Sequence, residues 1–288
     1  MIENRLSEIA AIARQVAWGA ADILRAYYRG DTDLDVKDKQ GDPVTAADLA
    51  ANHHILETLQ RELAGEPFGY LSEETYDAEA MAVTPGDWVW IIDPLDGTRD
   101  FIEKTGEYAV HIALAYQGRP QIGVVAIPED ETVYFAIKGQ GTYREHRDGT
   151  TVKMQASGRD RIEDLVLVAS RSHRNQRLNT MLERIPFRDR RFVGSVGRKV
   201  TTILEQDTDV YISLSGKSAP KDWDFAAPEL ILTEAGGQFT SFEGKELLYN
   251  QGDVRQWGGL MASNGPCHQD LYELATQVLA EIDAAAGD

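Results

Sequence analysis

The segment Asp93–Thr98, with the sequence DPLDGT, constrains this chain more than any other. It follows the apolar run Trp88–Ile92, whose unbroken hydrophobicity predicts a buried strand. Pro94 restricts the backbone and Gly97 relaxes it, so the chain should turn sharply between two carboxylates. Such a turn can point both carboxylates and the Leu95 carbonyl into one pocket, and hard cations such as Mg²⁺ prefer these oxygen ligands.

The residues that close this turn predict a second property. If a helix begins there, the backbone N–H groups of Gly97 and Thr98 would form a phosphate cradle beside the cations. An ordinary Asp-rich turn between a strand and a helix would look the same, so the motif needs support from elsewhere in the chain.

Three further blocks supply that support, in a fixed order along the chain. They are KDKQGDPVTAAD at 37–48, the pair Glu73-Glu74, and WDFAA at 223–227 leading into EAGG at 234–237. With the DPLDGT turn, these blocks resemble the inositol monophosphatase superfamily of metal-dependent, lithium-sensitive phosphatases. The resemblance covers about residues 37 to 237. It implies an α/β fold, a five-layer α-β-α-β-α sandwich of the inositol monophosphatase and sugar phosphatase type.

The resemblance also implies a site for two or three Mg²⁺ ions, with the ligands Glu73, Asp93, Leu95, Asp96 and Asp224. Asp93 would lie between two metals, and Glu73 would join it on the first. The second metal would be bound by Asp96 and Asp224. Without cations these carboxylates would repel one another strongly, whereas ions about 4 Å apart can hold an attacking water and a leaving oxygen in line. Glu74 must point away from its neighbour and is expected behind the ligands or at a third metal.

Water is the expected nucleophile in such a site. By the resemblance, Thr98 hydrogen-bonds that water and Asp48 accepts from the Thr98 hydroxyl, so Asp48, Thr98 and Glu74 form the catalytic set. Asp48 would also be favoured by the dipole of a helix that starts near residue 46, whatever its function. Lys37 and Thr45 match helper positions, but a solvated lysine and a helix-capping threonine explain them equally well.

The first half of the chain narrows the resemblance further. The segments DGTRDFI at 96–102 and GEYAVHIAL at 106–114 look like those of bacterial 3′(2′),5′-bisphosphate nucleotidases. These enzymes remove the 3′-phosphate of 3′-phosphoadenosine 5′-phosphate, a by-product of sulfate assimilation. Inositol monophosphatases usually have Asn-Phe where this chain has Asp100-Phe101. The substrate-binding residues implied are Gly97, Thr98, His173, Ser195 and Arg198, with His173 near the adenine or ribose.

One position departs from the nucleotidase pattern. Many nucleotidases carry an arginine for the 5′-phosphate where this chain has Ser213. A second anionic group would then need Lys199, Lys217 or Lys221, and the polar loop 215–221 before Asp224 makes this physically feasible. Simple solvation explains these lysines about as well.

The pattern of apolar residues predicts two halves. Helices are predicted over 2–28, 46–63, 175–185, 196–206, 223–235 and 266–285. Strands are predicted over 88–92, 109–117, 121–127, 132–138, 164–170, 210–214 and 258–263. We therefore expect an N-terminal α+β domain (1–150) with most metal ligands, and a C-terminal α/β domain (151–288) with Asp224 and the specificity residues.

The composition excludes several partners. The 288-residue chain has a net charge of −18, and no run of Lys or Arg offers the basic face that a nucleic-acid polymer needs. No segment is long and apolar enough to span a bilayer, and charges interrupt the apolar positions near the N-terminus, so no secretory signal is expected. Cys267 is the only cysteine, which excludes an intrachain disulfide and fits a reducing cytoplasm. The resemblance adds that dimers are common in the family.

These observations leave an ordered set of functions. The first is Mg²⁺-dependent hydrolysis of the 3′-phosphate of 3′-phosphoadenosine 5′-phosphate, and the alternative is the same chemistry on inositol monophosphate or a sugar bisphosphate. The histidines show no zinc-ligand spacing, and no nucleophile elbow occurs. A catalytically silent member that binds metal or nucleotide is disfavoured because the implied set is complete: Asp48, Glu73, Asp93, Asp96, Thr98 and Asp224.

Overall fold

The computed structural model describes residues 2–30, 34–39, 42–77, 82–172 and 174–286. Its α-helices are α1 (Leu6–Tyr28), α2 (Ala46–Glu62), α3 (Thr98–Ile102), α4 (Gln176–Arg184), α5 (Val196–Leu204), α6 (Asp222–Thr233) and α7 (His268–Ala286). Its first strands are β1 (Lys37–Lys39), β2 (Asp42–Val44), β3 (Phe68–Ser72), β4 (Trp88–Asp96), β5 (Ala109–Tyr116), β6 (Arg119–Ile127), β7 (Thr132–Ile137), β8 (Gly141–His146) and β9 (Thr151–Met154). The later strands are β10 (Val166–Ser170), β11 (Asp189–Val193), β12 (Val210–Leu214), β13 (Gln238–Ser241) and β14 (Gly259–Ser263).

Within these described residues, two large sheets carry the fold. The first has the order β3-β4-β5-β6-β7-β8-β9, and the second has the order β11-β10-β12-β14-β13. In the first sheet β3 runs parallel to β4, and the following neighbours pair antiparallel as the short turns predict. Strands β1 and β2 form a separate hairpin.

Side chains alternate between the two faces of β4 and so define the layers. Trp88, Trp90 and Ile92 pack into a core with α1 and α2, whereas Val89 and Ile91 pack into a core shared with α5, α6 and the second sheet. A third core lies between the second sheet and α4 and α7. The layers are therefore α1–α2, the first sheet, α5–α6, the second sheet and α4–α7. The five-layer α-β-α-β-α sandwich is confirmed.

Strand β9 lies directly after the predicted division at residue 150. Strand β9 begins at Thr151 and pairs with β8 in the first sheet, and the second sheet starts only at Val166. β9 has only four residues, of which three are exposed, so its sequence is too short to mark it clearly as a strand. A boundary between the two halves belongs between Met154 and Val166, and their independence as domains stays a prediction.

No helix among the described residues is long and apolar enough to cross a membrane.

Candidate active site

Three carboxylates converge where the first sheet meets α6. Asp93 and Asp96 lie in the last part of β4, and Asp224 lies in the first turn of α6. One oxygen from each of them lies within 4.8 Å of the others. Asp93 and Asp96 are buried and Asp224 is partly exposed. The structure thus brings together three of the carboxylates that the resemblance implies as metal ligands.

A local irregularity in β4 presents the two aspartates. The strand continues through Pro94 to Asp96, four residues beyond the predicted end at Ile92, and its register with β5 shifts between Asp93 and Asp96. Inside this bulge the Leu95 N–H donates to Asp93 Oδ1 at 3.0 Å. Gly97 follows with φ of 93° and caps α3, which begins at Thr98, so the condition for a phosphate cradle at this turn is met. A side chain at Gly97 would be strained in this conformation and would crowd the backbone of Glu107.

Asp224 and a further aspartate, Asp48, occupy equivalent positions in the first turns of their helices. Asp48 in α2 and Asp224 in α6 are both the third helical residue, and each accepts from the backbone N–H of the residue that caps its helix. The distances are 2.8 Å from Thr45 N to Asp48 Oδ2 and 2.7 Å from Lys221 N to Asp224 Oδ2. These capping bonds fix each carboxylate through one oxygen and point it toward the site. The capping role and the site role of Asp48 are therefore compatible.

Thr98 and Asp48 are brought together as predicted. Thr98 Oγ1 lies 3.2 Å from Asp48 Oδ1 and also 3.2 Å from the Leu95 carbonyl oxygen. Asp48 Oδ2 is held by the Thr45 hydroxyl at 2.6 Å, so the other oxygen is the one that faces Thr98. Burial raises the pKa of Asp48 to about 6 against the lowering effect of the Thr45 hydrogen bonds. Thr45 itself acts as a helix cap.

The adjacent Glu73 and Glu74 both contribute to the electrostatics of the site. Glu73 follows β3, and its N–H donates to the Ile92 carbonyl at 3.2 Å, which places it beside the end of β4. Burial and the charge of Asp224 raise the pKa of Glu73 to about 8, although Lys221 opposes the shift. The charge of Glu74 adds to the effect of burial on the pKa of both Asp48 and Glu73. That the two glutamate side chains point in different directions stays a prediction.

The electrostatics of the cluster identify the kind of group it suits. Burial raises the pKa of Asp93 well above its usual value, and the charges of Glu73, Asp96 and Asp224 add to the shift. Burial alone would also raise the pKa of Asp96, but His111 and Lys199 bring it below its usual value. Ionising several clustered carboxylates together is costly because their charges repel one another. A hard divalent cation bound by their oxygens would remove this repulsion.

Comparison with known proteins agrees with this geometry. A model of the inositol monophosphatase family matches residues 5–284. The chain belongs to the inositol monophosphatase family. Among its relatives, the 3′(2′),5′-bisphosphate nucleotidase CysQ of Salmonella typhimurium is 36% identical over 238 residues, which cover 82% of this chain and 91% of that protein. The protein of the same name from Escherichia coli K12 is 33% identical over 82% of this chain and 91% of its own length.

Solved structures give the same result for the fold. The IMPase of Thermotoga maritima matches with a TM-score of 0.76 and 25% identity over 97% of this chain and 99% of that one. As a member of the inositol monophosphatase family, the chain is a phosphatase with its acidic cluster in a five-layer fold.

The substrate residues implied for this family member in α5 have other partners in the structure. Ser195 is buried and caps α5, where its Oγ accepts from Arg198 N at 2.8 Å. The Arg198 guanidinium lies 2.5 Å from Asp130 and 3.8 Å from Glu205. Lys199 is buried and donates to the carbonyls of Gly194 and Ser195. Lys199 is therefore excluded as an exposed seat for a second phosphate, and contact of Arg198 with substrate would require it to exchange partners.

The remaining predicted residues lie in exposed or peripheral positions. Lys217 is exposed in the loop between β12 and α6. Lys221 caps α6, and its charge opposes the rise that burial causes in the pKa of Asp224 and Glu73. Lys37 is exposed and lies 2.9 Å from Asp35. His173 lies outside the described residues.

Two features of the site were missed by the sequence analysis. His111 on β5 contacts Asp96, with Nε2 3.2 Å from Oδ2. Arg171 joins the two halves of the molecule through Asp100 at 2.7 Å and Glu107 at 2.6 Å. The role of His111 could have been suspected from the sequence, because it is a histidine within the otherwise apolar strand AVHIALAY. The ion pairs of Arg171 join segments that are distant in the sequence, so no local sequence pattern reveals them.

Proposed function

We propose that this protein is a Mg²⁺-dependent phosphomonoesterase that removes the 3′-phosphate of 3′-phosphoadenosine 5′-phosphate. The observation that carries the proposal is the convergence of Asp93, Asp96 and Asp224 within 4.8 Å, beside the hydrogen-bonded pair Thr98–Asp48. A cation site next to a hydroxyl–carboxylate pair suits hydrolysis by water.

The residues present fit Mg²⁺. The cluster offers only oxygen donors, and the charges of its members add to the burial that raises the pKa of Asp93. The ligands in this proposal are Glu73, Asp93, Asp96, Asp224 and the Leu95 carbonyl, for two or three ions. Bound cations would neutralise these carboxylates, polarise the phosphate and lower the pKa of water.

The chain's own residues complete the chemistry. Thr98 Oγ1 orients the attacking water, and Asp48, its hydrogen-bond partner, receives the proton. A pKa of about 6 leaves Asp48 ionised near neutral pH and basic enough to assist. The N–H groups of Gly97 and Thr98 are proposed to hold the phosphate, and Glu74 is proposed to assist Asp48.

The ionisation of the cluster predicts a coupling between pH, metal and stability. Glu73 has a folded-state pKa of about 8, well above its ordinary value of 4.5. Its contribution to stability is therefore fully present below about pH 4.5 and is lost as the pH rises through 8. In EDTA we expect the melting temperature to fall between pH 6 and pH 8, and Glu73→Gln should reduce this fall. Differential scanning fluorimetry at several pH values measures both slopes.

Magnesium should reverse the same trend. Because the ligands must be deprotonated to bind a cation, Mg²⁺ should raise the melting temperature more at pH 8 than at pH 6. Equal melting temperatures in EDTA at both pH values, or an equal slope in Glu73→Gln, would contradict the assigned ionisation of Glu73.

The nucleotide substrate is supported by the CysQ relatives, which are named as 3′(2′),5′-bisphosphate nucleotidases. Within this proposal the exposed Lys217 serves as the seat of the 5′-phosphate, with Lys221 closer to the metal ligands. Inositol monophosphate or a sugar bisphosphate is the alternative substrate, because solved members of the family with this fold include inositol monophosphatases. Inhibition by Li⁺ is part of the same proposal.

A competition assay tests the substrate. We expect kcat/KM for 3′-phosphoadenosine 5′-phosphate to exceed that for inositol 1-phosphate and fructose 1,6-bisphosphate, with 5′-AMP as the product. Phosphate release and chromatography of the nucleotide products measure this. A clear preference for inositol 1-phosphate would overturn the nucleotidase assignment and leave the phosphatase chemistry in place.

Two lysine variants sharpen that assay. In Lys217→Ala the advantage of the bisphosphate over 3′-AMP should shrink about tenfold or more, because a charge-assisted contact is worth about 1.5–3 kcal/mol. Lys245→Ala is the matched control, since Lys245 is also exposed and pairs with Glu243 at 2.7 Å. An unchanged ratio in Lys217→Ala would remove Lys217 from the substrate site.

A further inference from the structure

His111 is a buried polar residue to which the proposed chemistry assigns no task. It lies on β5 directly opposite Asp93 in the strand register, and its side chain has no solvent exposure. Its Nδ1 lies 3.2 Å from the carbonyl oxygen of Trp223. Its Nε2 lies 3.2 Å from Asp96 Oδ2, in an alignment that makes the contact electrostatic rather than a well-formed hydrogen bond.

The two contacts connect separate parts of the site. Asp96 belongs to the bulge at the end of β4, whereas Trp223 directly precedes Asp224 in the first turn of α6. We infer that His111 is a positioning residue of the metal site, which holds the Asp96 carboxylate from the protein side. This inference rests on the proposed metal site and is independent of the proposed substrate.

Both protein groups that contact the Asp96 carboxylate approach the same oxygen, Oδ2. Asp96 Oδ2 accepts from the Gly197 N–H at 2.8 Å and is also the oxygen nearest His111. With Oδ2 occupied by protein groups, Oδ1 is the oxygen available to a cation. Groups that hold a ligand carboxylate in this way commonly change metal affinity by about 10–100-fold when they are removed.

The packing around His111 shows that its position is defined closely. A Cβ atom added at Gly197 would lie only 2.3 Å from His111 Nε2 and 2.9 Å from the Ala109 side chain. The first turn of α5 can therefore approach both Asp96 and His111 only because residue 197 is glycine. The Gly197 backbone thus donates a hydrogen bond to Asp96 Oδ2 and also packs against the imidazole ring of His111.

A purely structural role for His111 makes different predictions. A histidine that only fills space between β5 and α6 would affect thermal stability, but the affinity for metal would not depend on which ring nitrogen is replaced. Glutamine can place an N–H near the position of Nε2, toward Asp96. Asparagine can place one near Nδ1, toward the Trp223 carbonyl. The two amides therefore separate the two contacts.

The test is isothermal titration calorimetry of the substrate-free protein with Mg²⁺. We expect His111→Ala to weaken Mg²⁺ binding by about 10–100-fold, His111→Asn to weaken it similarly, and His111→Gln to recover most of the affinity. His268→Ala is the matched control, because His268 is also buried and contacts Thr240 and Ser263 at 2.9 and 2.8 Å, away from the acidic cluster. This control should lose stability and keep its Mg²⁺ affinity.

Two further measurements exclude indirect effects. Imidazole added to His111→Ala should restore part of the Mg²⁺ affinity, and at saturating Mg²⁺ the KM for substrate should match that of the unmodified protein. Melting temperatures in EDTA establish that each variant is folded, and His111→Gln preserves most of the side-chain volume if the alanine variant unfolds.

The outcomes separate this inference from the proposal on which it rests. Mg²⁺ affinity within twofold of the original in both the alanine and asparagine variants would overturn the role of His111. Equal losses in His111→Gln and His111→Asn would also overturn it, because the contact to Asp96 would then be irrelevant. If the unmodified protein bound no Mg²⁺ at all, the proposed metal site itself would fail.

Discussion

The variant Asp93→Asn is expected to lose phosphatase activity while its metal-free form becomes more stable. Asn keeps the shape of Asp93 and can still accept from the Leu95 N–H at 3.0 Å, but it removes the charge at the centre of the cluster. Losing a cation's stabilisation of the transition state, worth several kcal/mol, should lower kcat by about a thousandfold or more. The burial and like charges that raise the pKa of Asp93 mean that its removal relieves the metal-free fold.

The expected gain in stability of metal-free Asp93→Asn tests directly whether the carboxylates of the cluster repel one another. In EDTA at pH 8 the melting temperature should rise by about 2–4 °C, the shift expected for roughly 1 kcal/mol in a protein of this size. Asp209→Asn is the contrasting control. Asp209 is equally buried, but it accepts from Ser157 at 2.5 Å, Val166 N at 2.8 Å and Arg159 at 2.8 Å. Asp209→Asn should therefore lower the melting temperature and leave kcat unchanged.

Opposite signs for the two substitutions would distinguish an aspartate placed for function from one placed for stability. A fall in the melting temperature of metal-free Asp93→Asn would show that the cluster is not under electrostatic strain. Retained activity in that variant would remove Asp93 from the metal site.

The variant Thr98→Ala should lower kcat by about a hundredfold or more, within the range for losing assistance from a general base. Its hydroxyl contacts Asp48 Oδ1 and the Leu95 carbonyl, so its loss disconnects Asp48 from the water. KM should change less, because the metal ligands and backbone N–H groups remain. Steady-state kinetics at saturating Mg²⁺ separate the two parameters.

Three related variants make this prediction sharper. Thr98→Ser keeps the hydroxyl and should recover most of kcat. Asp48→Asn combined with Thr98→Ala should be little worse than either single change, since residues that act as a unit give non-additive losses. Thr142→Ala removes a buried hydroxyl that donates to Ile231 O at 2.6 Å, and it should affect stability alone. An unchanged kcat with a raised KM in Thr98→Ala would make Thr98 a binding residue only.

The parts of the site that depend on local sequence were predictable. The DPLDGT segment encodes its own bulge, left-handed glycine and helix start, because Pro94 and Gly97 restrict which backbone conformations are available. Asp48 and Asp224 each stand three residues after the residue that caps a helix, a spacing that is visible in the sequence. For such residues, one short segment of the sequence determines both the backbone conformation and the direction of the side chain.

The parts that depend on contact between distant segments were not predictable. The environment of Arg198 includes Asp130, which lies in the turn between β6 and β7, far from it in sequence. The burial of Lys199 follows from the docking of α5 between the two sheets, so a polar residue was mistaken for an exposed one. Strand β11 is exposed along most of its length and lacks apolar alternation, which explains its absence from the predicted strands.

The acidic cluster formed by Asp93, Asp96 and Asp224 is proposed to be a catalytic cation site. The most direct test is phosphate release from 3′-phosphoadenosine 5′-phosphate by protein freed of metal with a chelator, followed by titration with Mg²⁺. We expect no measurable turnover without metal and full recovery with Mg²⁺, accompanied by a rise in melting temperature. Full activity of the rigorously metal-free protein would contradict it.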